Sequence, residues 1–103
     1  MESEEQFSRR YRLKSLGYDF EGVVKRVSRI FQLEEECITA RGRQKERVKA
    51  RDLLCYWAVV DLGMSMVDLA RRFDITPGAI SYAVRRGEKI AKERGYQLDN
   101  EVI

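Results

Sequence analysis

The sequence predicts an all-α fold, a bundle of five to six helices containing a helix-turn-helix, and three observations carry that prediction. Apolar residues recur at three- and four-residue intervals, and no stretch alternates apolar with polar as a half-buried strand would. A single proline occurs among 103 residues, at position 77, where it can open a helix rather than break one. Finally, the stretch Ser65 to Gly87, SMVDLARRFDITPGAISYAVRRG, spells two short helices joined by a tight turn.

Taken in order, residues 3–16 (SEEQFSRRYRLKSL) read as a helix, with Ser3 and Gln6 as a capping box and Gly17 as its stop. Phe7, Tyr11 and Leu13 or Leu16 form only a thin apolar stripe, so this helix docks on the rest or ends a preceding domain. Asp19 is placed to cap a second helix reaching about Leu33. Its Phe20, Val23, Val24, Val27, Ile30 and Phe31 make a strong core face. Glu34–Ile38 suits one further turn, with Cys37 and Ile38 turned inward. Arg41 to Arg51 then carries six basic residues at alternate positions, an exposed loop around Gly42 leading from about Gln44 into a long helix. That helix is expected to run to about Leu62, with Gly63 ending it. Leu53, Leu54, Cys55, Trp57, Ala58, Val59 and Val60 make it the most apolar element, hence the central one.

The helix-turn-helix follows. Ser65 is positioned to accept the Asp68 N–H, Leu69, Ala70 and Phe73 supply an apolar stripe, and Asp74 suits a left-handed turn that Ile75 plugs. Thr76 caps the second helix and Pro77 sits at its first position. Ile80, Ala83 and Val84 face the core, which leaves Gly78, Ser81, Tyr82, Arg85 and Arg86 outward. Gly95 stops this helix after about Arg94, and Leu98, Val102 and Ile103 are docking points for a tail.

Composition narrows the function classes. Histidine is absent, which removes the commonest general base, the usual nucleophile pairs and most metal sites. No Gly-x-x-x-x-Gly-Lys-Ser/Thr loop occurs. Glu34-Glu35-Glu36 is better explained as a solvated acidic run than as an acid–base pair. Cys37 and Cys55 lie in helical patterns and are expected to be buried free thiols. The chain is therefore expected to be no enzyme, with no cofactor, no metal and no small-molecule substrate. No apolar run approaches the roughly 20 residues of a membrane span and the opening residues are no signal peptide, so a cytoplasmic, nucleoid-associated location is expected.

The net charge of +3 is unevenly spread: residues 41–94 hold 13 Lys/Arg against 7 Asp/Glu, and the remainder is net acidic. The basic half contains the helix-turn-helix, so charge and motif point to the same partner, double-stranded DNA. Thr76, Pro77, Gly78, Ser81, Tyr82 and Arg85 are the residues expected in the major groove. The small opening residues allow close approach, Thr76 and the first-turn N–H groups suit a phosphate, and Ser81, Tyr82 and Arg85 reach base edges. Arg41, Arg43 and Lys45 of the basic loop suit a narrow minor groove, and Arg47 and Lys49 suit phosphates. Arg71 and Arg72 are either phosphate contacts or solubility residues. The competing readings are a protein-interaction module, with the basic loop merely solubilising, and a transcriptional regulator.

From about Val23 to Arg94 the chain resembles the C-terminal DNA-binding domain of the bacterial chromosomal replication initiator DnaA. The resemblance rests on VVKRVSRIFQL, the acidic turn EEECI, the basic ARGRQKERVKARDLL and then SMVDLARRFDITPGAISYAV. It implies a helix-turn-helix in the major groove and an arginine of the basic loop in the minor groove, a role that falls to Arg41, Arg43 or Lys45. Where the family's origin-box reader has Asp-His-Thr-Thr, this chain has Thr76-Pro-Gly-Ala79. Similar initiator-like domains are appended to transposases associated with repetitive extragenic palindromes, and Arg9–Gly17 is similar to the joint leading into them. The expected organisation is therefore 1–18 as an N-terminal helix or joint, 19–95 as the DNA-binding domain and 96–103 as a tail, possessing a catalytic partner domain only if a longer parent supplies one.

Overall fold

The computed structural model describes residues 11–39, 44–96 and Leu98. All regular structure among them is helical, in six helices. The first, α1, is described over 11–15; α2 spans Phe20–Phe31, α3 Glu35–Thr39, α4 Lys45–Tyr56, α5 Met66–Phe73 and α6 Pro77–Arg94.

Helix α4 is the centre, as its composition predicts. Asp52, Leu53, Leu54 and Cys55 are buried in succession, followed by Trp57 and Ala58, so the helix is enclosed on nearly every side. It packs against α2, α3 and α6. The expected extent to about Leu62 is correct, but the last stretch, Trp57–Asp61, widens into a π-helical turn. There Leu62 N–H donates to Trp57 O at 3.1 Å and Met64 N–H reaches back to Ala58 O at 2.9 Å. Gly63, at φ +76°, supplies the left-handed residue that ends it.

The flanking helices start and stop by local chemistry. Asp19 Oδ1 accepts Gly22 N–H at 2.8 Å, and Gln32, at φ +54°, stops α2 two residues before the expected Leu33. Leu33 N–H closes that stop on Ser28 O at 3.1 Å, while Ser28 Oγ donates to Leu33 O. Val23, Val24 and Val27 are buried, with Phe20, Ile30 and Phe31 packed around the core. Helix α3 sits one residue later than expected. It buries Ile38, but Cys37 is only half-buried, so the expectation of two buried thiols holds for Cys55 alone.

One expectation at the chain ends needs correction, and one alternative is decided. Of the thin N-terminal stripe, Leu13 is fully buried, whereas Tyr11 and Leu16 are exposed. For Tyr11 the reason is angular: at about 100° per residue it lies some 160° around the helix from Leu13, whereas Leu16 falls in the turn that follows the helix, past its docking face. Phe7 and the Ser3–Gln6 capping box lie outside the described residues, as do Val102 and Ile103. Leu98 is buried and does anchor the tail.

Candidate nucleic-acid interface

The helix-turn-helix is built by three side-chain or backbone devices, each at its expected residue. Ser65 Oγ accepts Asp68 N–H at 3.0 Å to start α5. Asp74 adopts the left-handed conformation at φ +56°, and Ile75 N–H closes the turn on Ala70 O at 3.0 Å. Thr76 Oγ1 then accepts Ala79 N–H at 3.1 Å, with Pro77 at the first position of α6. Leu69, Ala70, Phe73, Ile80 and Ala83 are buried between the two helices and the rest of the core.

These caps narrow one expected feature, the first-turn N–H groups that suit a phosphate beside Thr76. Thr76 Oγ1 accepts Ala79 N–H, which leaves its own O–H to donate, whereas Ile80 N–H is bonded to Thr76 O at 3.2 Å and Pro77 has no N–H. Gly78 N–H is the first-turn donor left to face a ligand.

Helix α6 has two opposed faces. At about 100° per residue, Ile80, Ala83, Val84, Gly87 and Ala91 lie on one side, and these are the buried or half-buried positions. Gly78, Tyr82, Arg85, Lys89 and Lys92 fall within about 80° of one another on the opposite side. All five are exposed, Tyr82 at 65%. Ser81 lies at the edge of this stripe and is half-buried. Lys89 and Lys92 are additions to the residues expected from the sequence. Their signal is present in the spacing 78, 82, 85, 89, 92, but the turn chemistry that marks a helix-turn-helix reaches only the first half of the helix.

The buried face is held against α4 at close range. An added Cβ on Gly87 would lie 2.7 Å from both the Asp52 carbonyl carbon and the Tyr56 Cβ, and closer still to the Asp52 carbonyl oxygen. Only glycine fits where the two helices cross. Beside it, Arg86 Nε donates to Asp52 Oδ2 at 2.9 Å and Nη2 to Oδ1 at 3.2 Å, a two-pronged pair. Arg86 is thus not simply outward-facing: its side chain is about half exposed, yet its guanidinium is paired with Asp52 on α4. Burial pushes the Asp52 carboxyl above its ordinary range, with Arg86 pulling the other way. The Arg86 guanidinium is held above its ordinary value chiefly by that same hydrogen bond.

The pairs along this contact also set its direction. Asp52 meets Arg86, and Glu46, six residues earlier, lies within electrostatic reach of Arg94, eight residues later. Helices α4 and α6 are therefore antiparallel. The start of α4 stands beside the end of α6, about 27 Å along the helix axis from Thr76. The described start of the basic segment, at Lys45, and the opening of α6 thus lie at opposite ends of the contact.

Within the basic segment, Arg41 and Arg43 lie outside the described residues. Lys45 is exposed, and Lys49 stands 3.9 Å from Glu46. Arg47 is half-buried and about 160–200° around α4 from Lys45 and Lys49, because residues two apart on a helix do not share a face. Arg47 and Lys49, both expected at phosphates and both half-buried, therefore lie on different sides of α4: Lys49 shares a face with Lys45, and Arg47 does not. The paired arginines on α5, Arg71 and Arg72, are both exposed, and Arg72 also lies 4.5 Å over the ring of Phe20. Arg72 thereby packs α5 against the start of α2, a contact additional to its two expected roles.

No helix among the described residues is long and apolar enough to cross a membrane. Comparisons of the chain with models of known protein families, with curated proteins and with solved structures find no match in any of the three.

Proposed function

We propose that this chain is a non-catalytic module that binds double-stranded DNA, with the N-terminal half of α6 in the major groove. The observation that carries this reading is the exposed stripe beginning Gly78, Tyr82 and Arg85 on a helix whose opposite face is locked to α4. A rigid helix with a small opening residue, an aromatic hydroxyl and a free guanidinium has what base-edge recognition requires. Pro77 and Gly78 let the backbone approach, Ser81 and Tyr82 offer hydrogen bonds and apolar contact, and Arg85 reaches a guanine edge. Lys45 and Lys49, at the far end, supply backbone contacts, and the loop arginines Arg41 and Arg43 a minor-groove contact. The resemblance to the DnaA C-terminal domain supports the same reading, in replication-origin binding or in transposon-end recognition, and with it a cytoplasmic location near the nucleoid.

A protein-interaction module is the competing reading, and the exposed Tyr11, Leu16, Val67 and Tyr82 are what it would draw on. Scattered single apolar side chains are ordinary on protein surfaces and do not by themselves make a docking patch.

The test is binding of the whole chain to duplexes selected from a random pool, followed across salt concentration. With about five phosphates contacted, log affinity falls against log salt with a slope of about −4 to −5. Arg85→Ala is expected to relax base preference at one position at a cost of about 1–3 kcal/mol, whereas Lys45→Ala weakens all duplexes alike. Absence of binding at low salt, or binding insensitive to salt, overturns the proposal.

A further inference from the structure

Chemistry changes along the exposed stripe of α6. Its first half carries Gly78, Tyr82 and Arg85, residues able to discriminate base edges. Its second half carries only Lys89 and Lys92, flexible point charges that hold an anion without reading it. The change falls where the geometry would require it. From Gly78 to Arg85 is about 10 Å of helix, close to the roughly 12 Å width of the major groove. Lys89 and Lys92 stand about 6 and 10 Å further along, beyond the bases and level with the phosphate ridge.

The neighbourhood is consistent with a ligand outside the protein. Both lysines are exposed. Lys92 lies 3.8 Å from Glu88, but both partners are well solvated, so the pair holds the ammonium only weakly. Because α4 runs antiparallel, Lys45 and Lys49 flank this same end, and Arg94 lies there too, bonded to Tyr96. The acidic residues at this end are Glu46, Glu88 and Glu93, fewer than the cations.

We propose that Lys89 and Lys92 contact the DNA phosphate backbone at the edge of the groove read by Gly78, Tyr82 and Arg85. This rests on the DNA-binding reading above and extends it to the whole length of α6. The function assigned to the two lysines is affinity and orientation, with no share in base preference.

The experiment compares the unaltered chain, the double variant Lys89→Ala/Lys92→Ala and the charge control Lys25→Ala, whose lysine is exposed on α2. Each is titrated with its preferred duplex and with a scrambled duplex across salt. The double variant is expected to flatten the log–log slope by about 1.8, since each phosphate contact contributes about 0.9. The ratio of preferred to scrambled affinity stays unchanged, and Lys25→Ala leaves the slope as it is. A slope unaltered in the double variant overturns this assignment while leaving the DNA reading standing. So does a fall in the preferred-to-scrambled ratio, or an equal flattening by Lys25→Ala. Failure of the unaltered chain to bind any duplex overturns both.

Discussion

Replacing Gly87 with alanine tests whether the α4–α6 contact is as close as it must be to hold the reading face outward. The new Cβ would stand 2.7 Å from Tyr56 Cβ and from the Asp52 carbonyl carbon, where carbon contacts prefer about 3.5–4.0 Å. Two of the obstructing atoms, the Asp52 carbonyl carbon and oxygen, are backbone in mid-helix and cannot rotate away. The helices must therefore separate by about 1 Å, which forfeits a quarter to a half of the dispersion energy at each contact that opens. Ile80, Ala83 and Ala91 share that face and lose packing together. Overpacking of this kind costs about 1–3 kcal/mol, and more where backbone is the obstacle. Alanine regains about 1 kcal/mol of helix propensity, leaving a net loss of about 2 kcal/mol or more. For a domain of this size that lowers the melting temperature by about 8–16 °C. Thermal unfolding followed by circular dichroism measures it, with Gly78→Ala as the matched control. The nearest atom to a Cβ at Gly78 is Thr76 Oγ1 at 3.8 Å, so that variant is expected to be neutral or stabilised. Equal melting temperatures for the two alanine variants would refute the close approach.

Two further outcomes follow from the buried ionisable groups. Arg86→Ala leaves the Asp52 carboxyl buried without its fork, at a cost of about 1–3 kcal/mol near neutral pH, discounted because Arg86 itself is half-exposed. Burial already raises that carboxyl above 3.8, and loss of Arg86 raises it further. A group whose folded pKa is raised loses stability as pH climbs through that value and regains it below. Urea unfolding should therefore show a smaller deficit at pH 4 than at pH 7, and identical deficits would contradict the assigned pairing. The Cys55 thiol is pushed up to about 12, first by burial and then by nearby Asp52. At pH 8 a thiol reagent is expected to label half-buried Cys37 in the folded chain and to reach Cys55 only on unfolding; equal labelling of both would show Cys55 to be open.

Much of the candidate site is legible in the sequence because its parts are local. Ser65, Asp74, Thr76 and Pro77 act on N–H groups or dihedral angles within four residues of themselves, so their identity alone states their role. The same holds for Asp19 at the start of α2 and Gly63 and Gly95 at helix ends. Helical periodicity likewise separates the two faces of α6, and the same spacing, followed past Arg85, reaches Lys89 and Lys92.

What the linear chain does not carry is which faces meet. Nothing near Asp52 in sequence marks it as buried, or Arg86 as its partner 34 residues away. Gly87 looks like a weak point in a helix until the Asp52 backbone is found against it. Arg47 and Lys49 look equivalent in a basic run, but two residues of helix turn them to different sides. The alternation of basic residues from Arg41 to Arg51 invites the idea of one cationic patch beside the helix-turn-helix. The antiparallel packing of α4 on α6 instead sets the described end of that run beside Arg94, away from Thr76. The sequence by itself determined the helices, their caps and the helix-turn-helix, because those follow from short-range hydrogen bonding and periodic burial. Only the tertiary structure decided the direction of α4 against α6, the close crossing at Gly87 and the pairing of Asp52 with Arg86, because these depend on packing between residues far apart in the chain.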